Sequence, residues 1–284
     1  QKLLGILSSK CPVFMGLLRT VYAKFFFYDP LIRFSPLFLL FINRKAMEIN
    51  HISILMAMES EASPLIESLN LKKQNSIFRH GIPFEAYQGS FEKLLITLMT
   101  SGKDKDYQVD NVATQPATLM AYLAIDQFSP DIIINAGTAG GMAGCGCKIG
   151  DVYLSEGEFS YHDRRIPIPA FDQYGVGSYP SFDTSSIATE LHLKTGRIST
   201  GNSLDYTEKD LEMMKSNKAV IKEMEAAAIA WVCKILDMPM FAIKAITDLF
   251  DQEIPTETQF LENLTLASTN LQKSVPRILR TLVR

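Results

Sequence analysis

Apolar and polar positions along this chain fall into blocks whose period switches between two and about 3.6. The run His51-Ile-Ser-Ile-Leu-Met-Ala57 predicts a short buried strand. A helical stretch follows it, with Glu59, Glu61 and Pro64 in its first turns. Proline and acids suit that place, because a first turn has spare N–H groups and a positive dipole end. Leu94–Met99 predicts a second buried strand, and Asn111–Phe128 a helix with Leu119, Tyr122, Leu123 and Ile125 turned inward. Asp131–Asn135 predicts a strand that ends in a glycine-rich turn, Ala136–Gly146. Further strands are expected at 151–161, 195–201 and 239–247, and helices near 208–216 and 225–237. A final amphipathic helix over about 258–283 places Leu261, Leu264, Leu271, Val275, Ile278 and Leu282 on its buried face. Strands alternating with helices, several strands being uniformly apolar, predict a layered α/β domain.

Composition divides this picture. The 284 residues are 47% hydrophobic and 21% charged, with mean hydropathy +0.07 and net charge −3, which excludes a disordered tail, a collagen-like repeat and a generally basic nucleic-acid binder. Residues 1–46, however, hold seven Lys or Arg against one acid, Asp29, and seven of the seventeen Phe. The other 238 residues carry 21 basic and 30 acidic groups, so a basic leader precedes an acidic remainder. The apolar blocks at 11–18 and 34–43 are too short for a bilayer helix, which needs roughly 20 apolar residues. Pro12, Pro30 and Pro36 oppose one long helix as well. The expectation is a catalytic domain over 47–284. Segment 1–46 is then a poorly ordered leader or sequence lying before the true start, with organelle targeting as the alternative.

Cys11, Cys145, Cys147 and Cys233 form no disulfide framework, so a reducing compartment is expected. Cys145-Gly-Cys147 raises the question of a metal. The four histidines, His51, His80, His162 and His192, offer no partner at ligand spacing, and no metal is expected.

Ligand sites in layered α/β folds gather at strand ends. Three acids stand there: Glu61 after the first strand, Glu225 opening the helix of Glu223-Met-Glu-Ala-Ala-Ala-Ile-Ala230, and Asp248 ending Phe241–Asp248. The segment Asn135-Ala-Gly-Thr-Ala-Gly-Gly141 can bring backbone N–H groups close to a ligand. Taken singly, each has a plain structural reading. Glu61 and Glu225 suit a helix dipole, Asp248 suits a cap, and the glycines suit a turn that lacks the G-x-G-x-x-G dinucleotide spacing.

Together they are more specific. AMESEA (57–62), INAGTAGG (134–141), HDRRIPIPAFDQYGVG (162–177), STGNSLD (199–205), EMEAAAIA (223–230) and KAITD (244–248) resemble, in order, the 5′-methylthioadenosine nucleosidases of plant type. These are part of the purine nucleoside phosphorylase/uridine phosphorylase superfamily. The resemblance runs over roughly 49–275. It implies a three-layer α/β/α domain with a mixed central sheet and a hydrolase that takes a small nucleoside in methionine salvage. It also implies a homodimer, a cytoplasmic setting, no cofactor, and no nucleic-acid or membrane partner. Carried over residue by residue, Asp248 is the acid that protonates adenine N7, and Glu61 holds and activates the attacking water. Glu225 binds the ribose hydroxyls, Met224 lies against the sugar, and Glu223 belongs to the same binding segment. Thr138 sits beside the site and Leu204 lines the base pocket. Phe171 and Tyr174 are the candidates for closing a neighbouring subunit's alkylthio pocket.

The chemistry gives such acids work whatever their name. Breaking a purine N-glycosidic bond leaves electron density on the base and positive charge on the ribose. A buried protonated carboxyl relieves the first, and a second carboxylate delivers water from the opposite face of the sugar. A phosphorylase would instead bind an anion, which Glu61 repels, and Asp104 and Asp106 cancel the charge of Lys103. Two departures from the family pattern stand out: Asn202 where relatives carry Asp, and a more highly charged 103–110 loop. Within the superfamily, storage-type proteins and phosphorylases are the alternatives.

Overall fold

The computed structural model describes residues 48–283, so the expectations for the leader 1–46 lie outside the described residues. In chain order the elements are β1 (His51–Met56), α1 (Glu59–Ser68), β2 (Lys72–Gln74), β3 (Glu85–Phe91), β4 (Leu94–Thr100) and α2 (Thr114–Phe128). Then come β5 (Ile132–Gly141), β6 (Val152–Tyr161), α3 (Phe171–Val176), β7 (Tyr179–Pro180), α4 (Ser185–Leu191), β8 (Lys194–Thr200) and α5 (Glu208–Ser216). The chain continues through β9 (Ala219–Glu223), α6 (Ala226–Ile235), β10 (Met240–Leu249) and α7 (Thr256–Leu282).

One mixed sheet holds the strands in the order β10-β6-β8-β9-β5-β1-β4-β3-β2. A further pairing of β5 with β10 closes β5, β10, β6, β8 and β9 into a ring. The central strands are apolar on both sides. Ile52, Ile54 and Met56 of β1 pack with Ala62 and Leu65 of α1 and with Ala267, Leu271, Val275 and Ile278 of α7. Leu55 of β1 belongs to the opposite layer, with α2 and the alanine run of α6. That is the period-two alternation of a strand buried between two helical layers. The fold is therefore a three-layer α/β/α domain with a mixed sheet, as expected.

Four expectations need correction. The glycine segment 136–141 is strand, not turn: β5 runs on to Gly141, and the turn follows at Ala143–Cys145. The helix expected from Asn111 starts at Thr114, because the Asn111 side chain bonds the carbonyls of Ser101 and Gly102. Its buried face is Ala117, Met120, Ala121 and Ala124, with Leu123 and Ile125 packed partly buried against the same core as expected, while Leu119 and Tyr122 are exposed. Small residues let α2 and α6 approach closely, and this outweighs burial of the larger side chains. On α7, Leu261 is 72% exposed; the buried positions before Ala267 are the polar Thr256 and Gln259, and the apolar stripe begins at Ala267. Among the described residues no helix is long and apolar enough to cross a membrane.

Candidate active site

The glycines of β5 are there for space. A Cβ at Gly137 would come 3.1 Å from Oε2 of Glu61, and one at Gly140 would come 2.5 Å from Oδ2 of Asp248. A side chain at Gly140 must displace the Asp248 carboxylate and one at Gly137 crowds that of Glu61, so glycine leaves room for two acids at the strand's surface. Beside them opens a cavity of about 250 Å³, whose lining includes Glu61, Thr138, Leu204, Met224, Glu225 and Asp248. The three acids separated by up to 187 positions in sequence share this one wall.

Glu61 sits in the first turn of α1 and is 4% exposed. Its Oε1 accepts a bond from the Thr138 N–H at 2.9 Å and another from the Thr138 hydroxyl, which leaves Oε2 for a ligand. Burial pushes its carboxyl above the usual range, against the Thr138 bonds and the more distant Lys244 charge. A raised carboxylate is the better proton acceptor.

Asp248 ends β10 just after a register shift between Ile246 and Asp248, a bulge that re-aims the side chain. Its Oδ1 accepts from the Thr247 hydroxyl at 2.8 Å, whereas Oδ2 is buried without a hydrogen-bond partner. Burial raises this carboxyl too, opposed by the Thr247 bond and the charge of Lys222. An unpaired buried carboxyl oxygen favours the protonated acid, which can donate to a ligand.

Glu225 caps α6 and accepts a 3.0 Å bond from the Ala113 N–H on Oε1. Burial and then the neighbouring Glu223 push its carboxyl up to about 7. Glu223 needs a correction. It lines the cavity, but its oxygens are already engaged by Lys244 Nζ at 2.9 Å, by the N–H groups of Glu225 and Ala226, and by the Thr200 hydroxyl. Burial alone would raise its carboxyl, but the Lys244 ammonium and these bonds outweigh it and hold the group low. Glu223 thus organises the start of α6 and has no free acceptor to bind a ligand. Phe171, on α3, is 55% exposed and does not line this cavity, and Tyr174 beside it is equally exposed.

Sequence reasoning missed Met58, Val112, Lys222 and Phe260 in the lining, and Ala113 behind it. The backbone of Ala113 is unusual, with φ 78° and ψ −172°, a region essentially restricted to glycine. In this conformation its N–H donates to Glu225 Oε1. Ala113→Gly is expected to keep that bond and stabilise the protein by about 1 kcal/mol, the relieved strain exceeding the lost chain stiffness. Thermal unfolding checks it: the midpoint should rise by about 2–4 °C.

Both departures noted in the sequence find a place. Asn202 ties two segments together: its Oδ1 accepts from the Thr114 N–H and hydroxyl, while its own N–H and Nδ2 donate to Asp163 Oδ2. An aspartate here would face the Asp163 carboxylate at about the 3.0 Å now bridged by the amide, so asparagine suits this contact. Lys103 pairs with Glu59 at 3.0 Å and does not line the cavity. Among the described residues no three His, Cys, Asp or Glu side chains cluster in a way that could hold a metal ion.

This geometry has known counterparts. The model of the phosphorylase superfamily matches residues 51–280. The chain belongs to that superfamily. Within the phosphorylase superfamily it stands among the 5′-methylthioadenosine nucleosidases. It is 41% identical over 232 residues to the Arabidopsis thaliana 5′-methylthioadenosine nucleosidase, covering 81% of this chain and 86% of that one. A second Arabidopsis thaliana relative, a 5′-methylthioadenosine/S-adenosylhomocysteine nucleosidase, is also 41% identical, with 91% of its length covered. The apo structure of the former superposes with a TM-score of 0.80 at 40% identity, covering 82% of this chain and 96% of that one. The Neisseria meningitidis 5′-methylthioadenosine/S-adenosylhomocysteine nucleosidase in complex with methylthio-immucillin-A gives 0.68 at 27% identity, covering 82% and 100%.

Proposed function

We propose that this protein hydrolyses the N-glycosidic bond of 5′-methylthioadenosine, releasing adenine and 5-methylthioribose, a reaction of methionine salvage. The observation that carries this reading is the set of three buried carboxylates on one cavity wall, each in a different environment. Asp248, its Oδ2 unpaired, gives a proton to N7 as the glycosidic electron pair moves onto the base. Water held by Glu61 attacks the anomeric carbon, and its proton passes to Oε2, while Thr138 holds Oε1 still. Glu225 accepts the ribose hydroxyls as its ligand-facing role, with Ala113 fixing Oε1 from behind. Adenine leaves protonated at N7, and return of the proton from Glu61 through solvent to Asp248 resets the site.

Hydrolysis is favoured over phosphorolysis because the Glu61 carboxylate on the cavity wall repels an anion and Lys103 is turned to Glu59. The exposed apolar side chains Leu119, Tyr122, Ile168, Phe171, Tyr174 and Ile235 support a homodimer in which the second copy covers them. Phe171 and Tyr174 then serve the partner's pocket and not their own. The free thiols Cys145, Cys147 and Cys233 fit a reducing, cytoplasmic setting.

The test incubates the purified protein with 5′-methylthioadenosine, with and without phosphate, and measures adenine. The expected result is release at the same rate in both. Release only with phosphate would make it a phosphorylase; binding without release would make it a storage-type protein. S-adenosylhomocysteine in a parallel arm reads whether the cavity admits the longer 5′ tail.

A further inference from the structure

Of the charged side chains on the cavity wall that the mechanism above does not use, Glu223 and Lys244 pair with each other, which leaves Lys222. Lys222 is 4% exposed, lines the cavity, and lies on β9. Its neighbour in the sheet is Gly140, which on its other side pairs with Asp248 of β10. Residues directly opposite one another in a sheet present their side chains to the same face. Lys222 and Asp248 therefore flank the one position in that row that has no side chain. The ammonium group donates to the carbonyl oxygens of Leu204 at 2.5 Å and Ser203 at 3.3 Å, the segment that carries the base-pocket residue Leu204. A buried lysine tied to two loop carbonyls is an expensive feature for a fold that needs only a short strand here, since burial disfavours its charge.

We propose that Lys222 is a positioning residue of the hydrolytic site: it holds Ser203–Leu204 over the base-binding end of the cavity and supplies the positive charge that steadies the Asp248 carboxylate left once the proton has moved to the base. This rests on the nucleosidase reading given above. Lys222 forms no bond to substrate and loses no proton in the cycle. Its field acts when Asp248 changes from neutral acid to anion, which is where an adjacent cation lowers the barrier. Burial lowers the lysine's own affinity for its proton, and Asp248, Asp205, Glu223 and Asp210 oppose that. These acids face it from β10, from the segment after Leu204, from β9 itself and from α5. His162, beyond the end of β6, is the titratable group of like sign: burial first and Lys222 second lower its affinity for a proton.

The experiment compares K222M, K222Q and K222R with the unchanged protein in steady-state adenine release across pH. K222M removes both charge and donors, and its kcat/KM is expected to fall about 10–100-fold, the range for a lost bond to a charged group. Without the cation Asp248 is a weaker acid. The alkaline limb of kcat therefore moves up by about one pH unit in K222M and K222Q alike. KM rises more in K222M than in K222Q, whose amide still offers N–H donors to the loop. K222R keeps charge and donors, and its alkaline limb stays with the unchanged protein. A folded K222M whose alkaline limb does not move overturns the proposal. So does failure of both neutral variants to fold, which would leave Lys222 a structural role only. An unchanged protein that releases no adenine is a different failure, that of the nucleosidase reading itself.

Discussion

Asp248→Asn is expected to lower turnover by about 10²–10⁴-fold while leaving nucleoside binding nearly intact. Asparagine has the same shape and still accepts the Thr247 hydroxyl bond on Oδ1. Its amide can even donate to N7, but it cannot transfer a proton, so the base must leave as an anion. The pH dependence carries a sign. Burial holds the Asp248 carboxyl above its ordinary value in the folded protein. Its contribution to stability is thus complete below the unfolded value and is lost as pH rises through the folded one. Activity follows the same direction, since the acid must be protonated: rate falls on the alkaline side. In Asp248→Asn that limb should vanish together with most of the rate, and the variant should be no less stable at pH 8 than the parent. Adenine release against pH, with calorimetric binding of the nucleoside, separates the two. A fully active variant would remove Asp248 from the mechanism.

Glu61→Gln is the second large effect, again about 10²–10⁴-fold in turnover, for the opposite reason. The amide oxygen can accept both Thr138 bonds, so the side chain should stay in place. What it loses is the capacity to take a proton from water. Burial also raises the Glu61 carboxyl, and as a base it must be ionised, so the parent's rate falls on the acidic side. That acidic limb should disappear in the variant. Ionised Glu61 is a buried anion that the apo protein carries above its folded pKa, where its pH-dependent stabilisation has been lost. Glu61→Gln is accordingly expected to melt higher than the parent at pH 8, while its activity is low. An active Glu61→Gln enzyme would mean that the water is activated elsewhere.

Much of the site was legible because its acids obey a simple local rule. Glu61, Glu225 and Asp248 stand where apolar strands end, and polar groups at such places are presented to a cleft. Thr138 was legible only through the family resemblance, because it lies within β5 and not at its end. The layered architecture followed from period alone, and the long helix 256–282 from its stripe. What failed was any inference that treated a residue's local preference as its reason for being there. Gly137 and Gly140 look like turn residues, yet they are glycine because carboxylates arriving from α1 and β10 occupy the space of their Cβ atoms. Leu119 and Tyr122 look like a core face, but the contact of α2 with α6 selects the alanines instead. Glu223 looks like a ligand-binding acid, yet Lys244 and the start of α6 consume it.

The sequence by itself determined the alternation of strand and helix, the three acids and the chemistry they could perform, because hydrophobic period and side-chain chemistry are properties of short segments. It also set residues 1–46, with seven basic groups and one acid, apart from an acidic remainder, by charge alone. Only the tertiary structure decided which oxygen of each acid is free. Glu61 is fixed by Thr138 from 77 positions away and Glu225 by Ala113 from 112 positions away, contacts no local pattern encodes. It also decided that β9 exists, and hence that Lys222 faces the cavity. That strand is five residues long, and it is held by pairings to β8 and to the end of β5 more than by any preference of its own. Burial then does the rest: the same carboxyl groups that would be ionised and inert in water are shifted upward once the fold removes them from it.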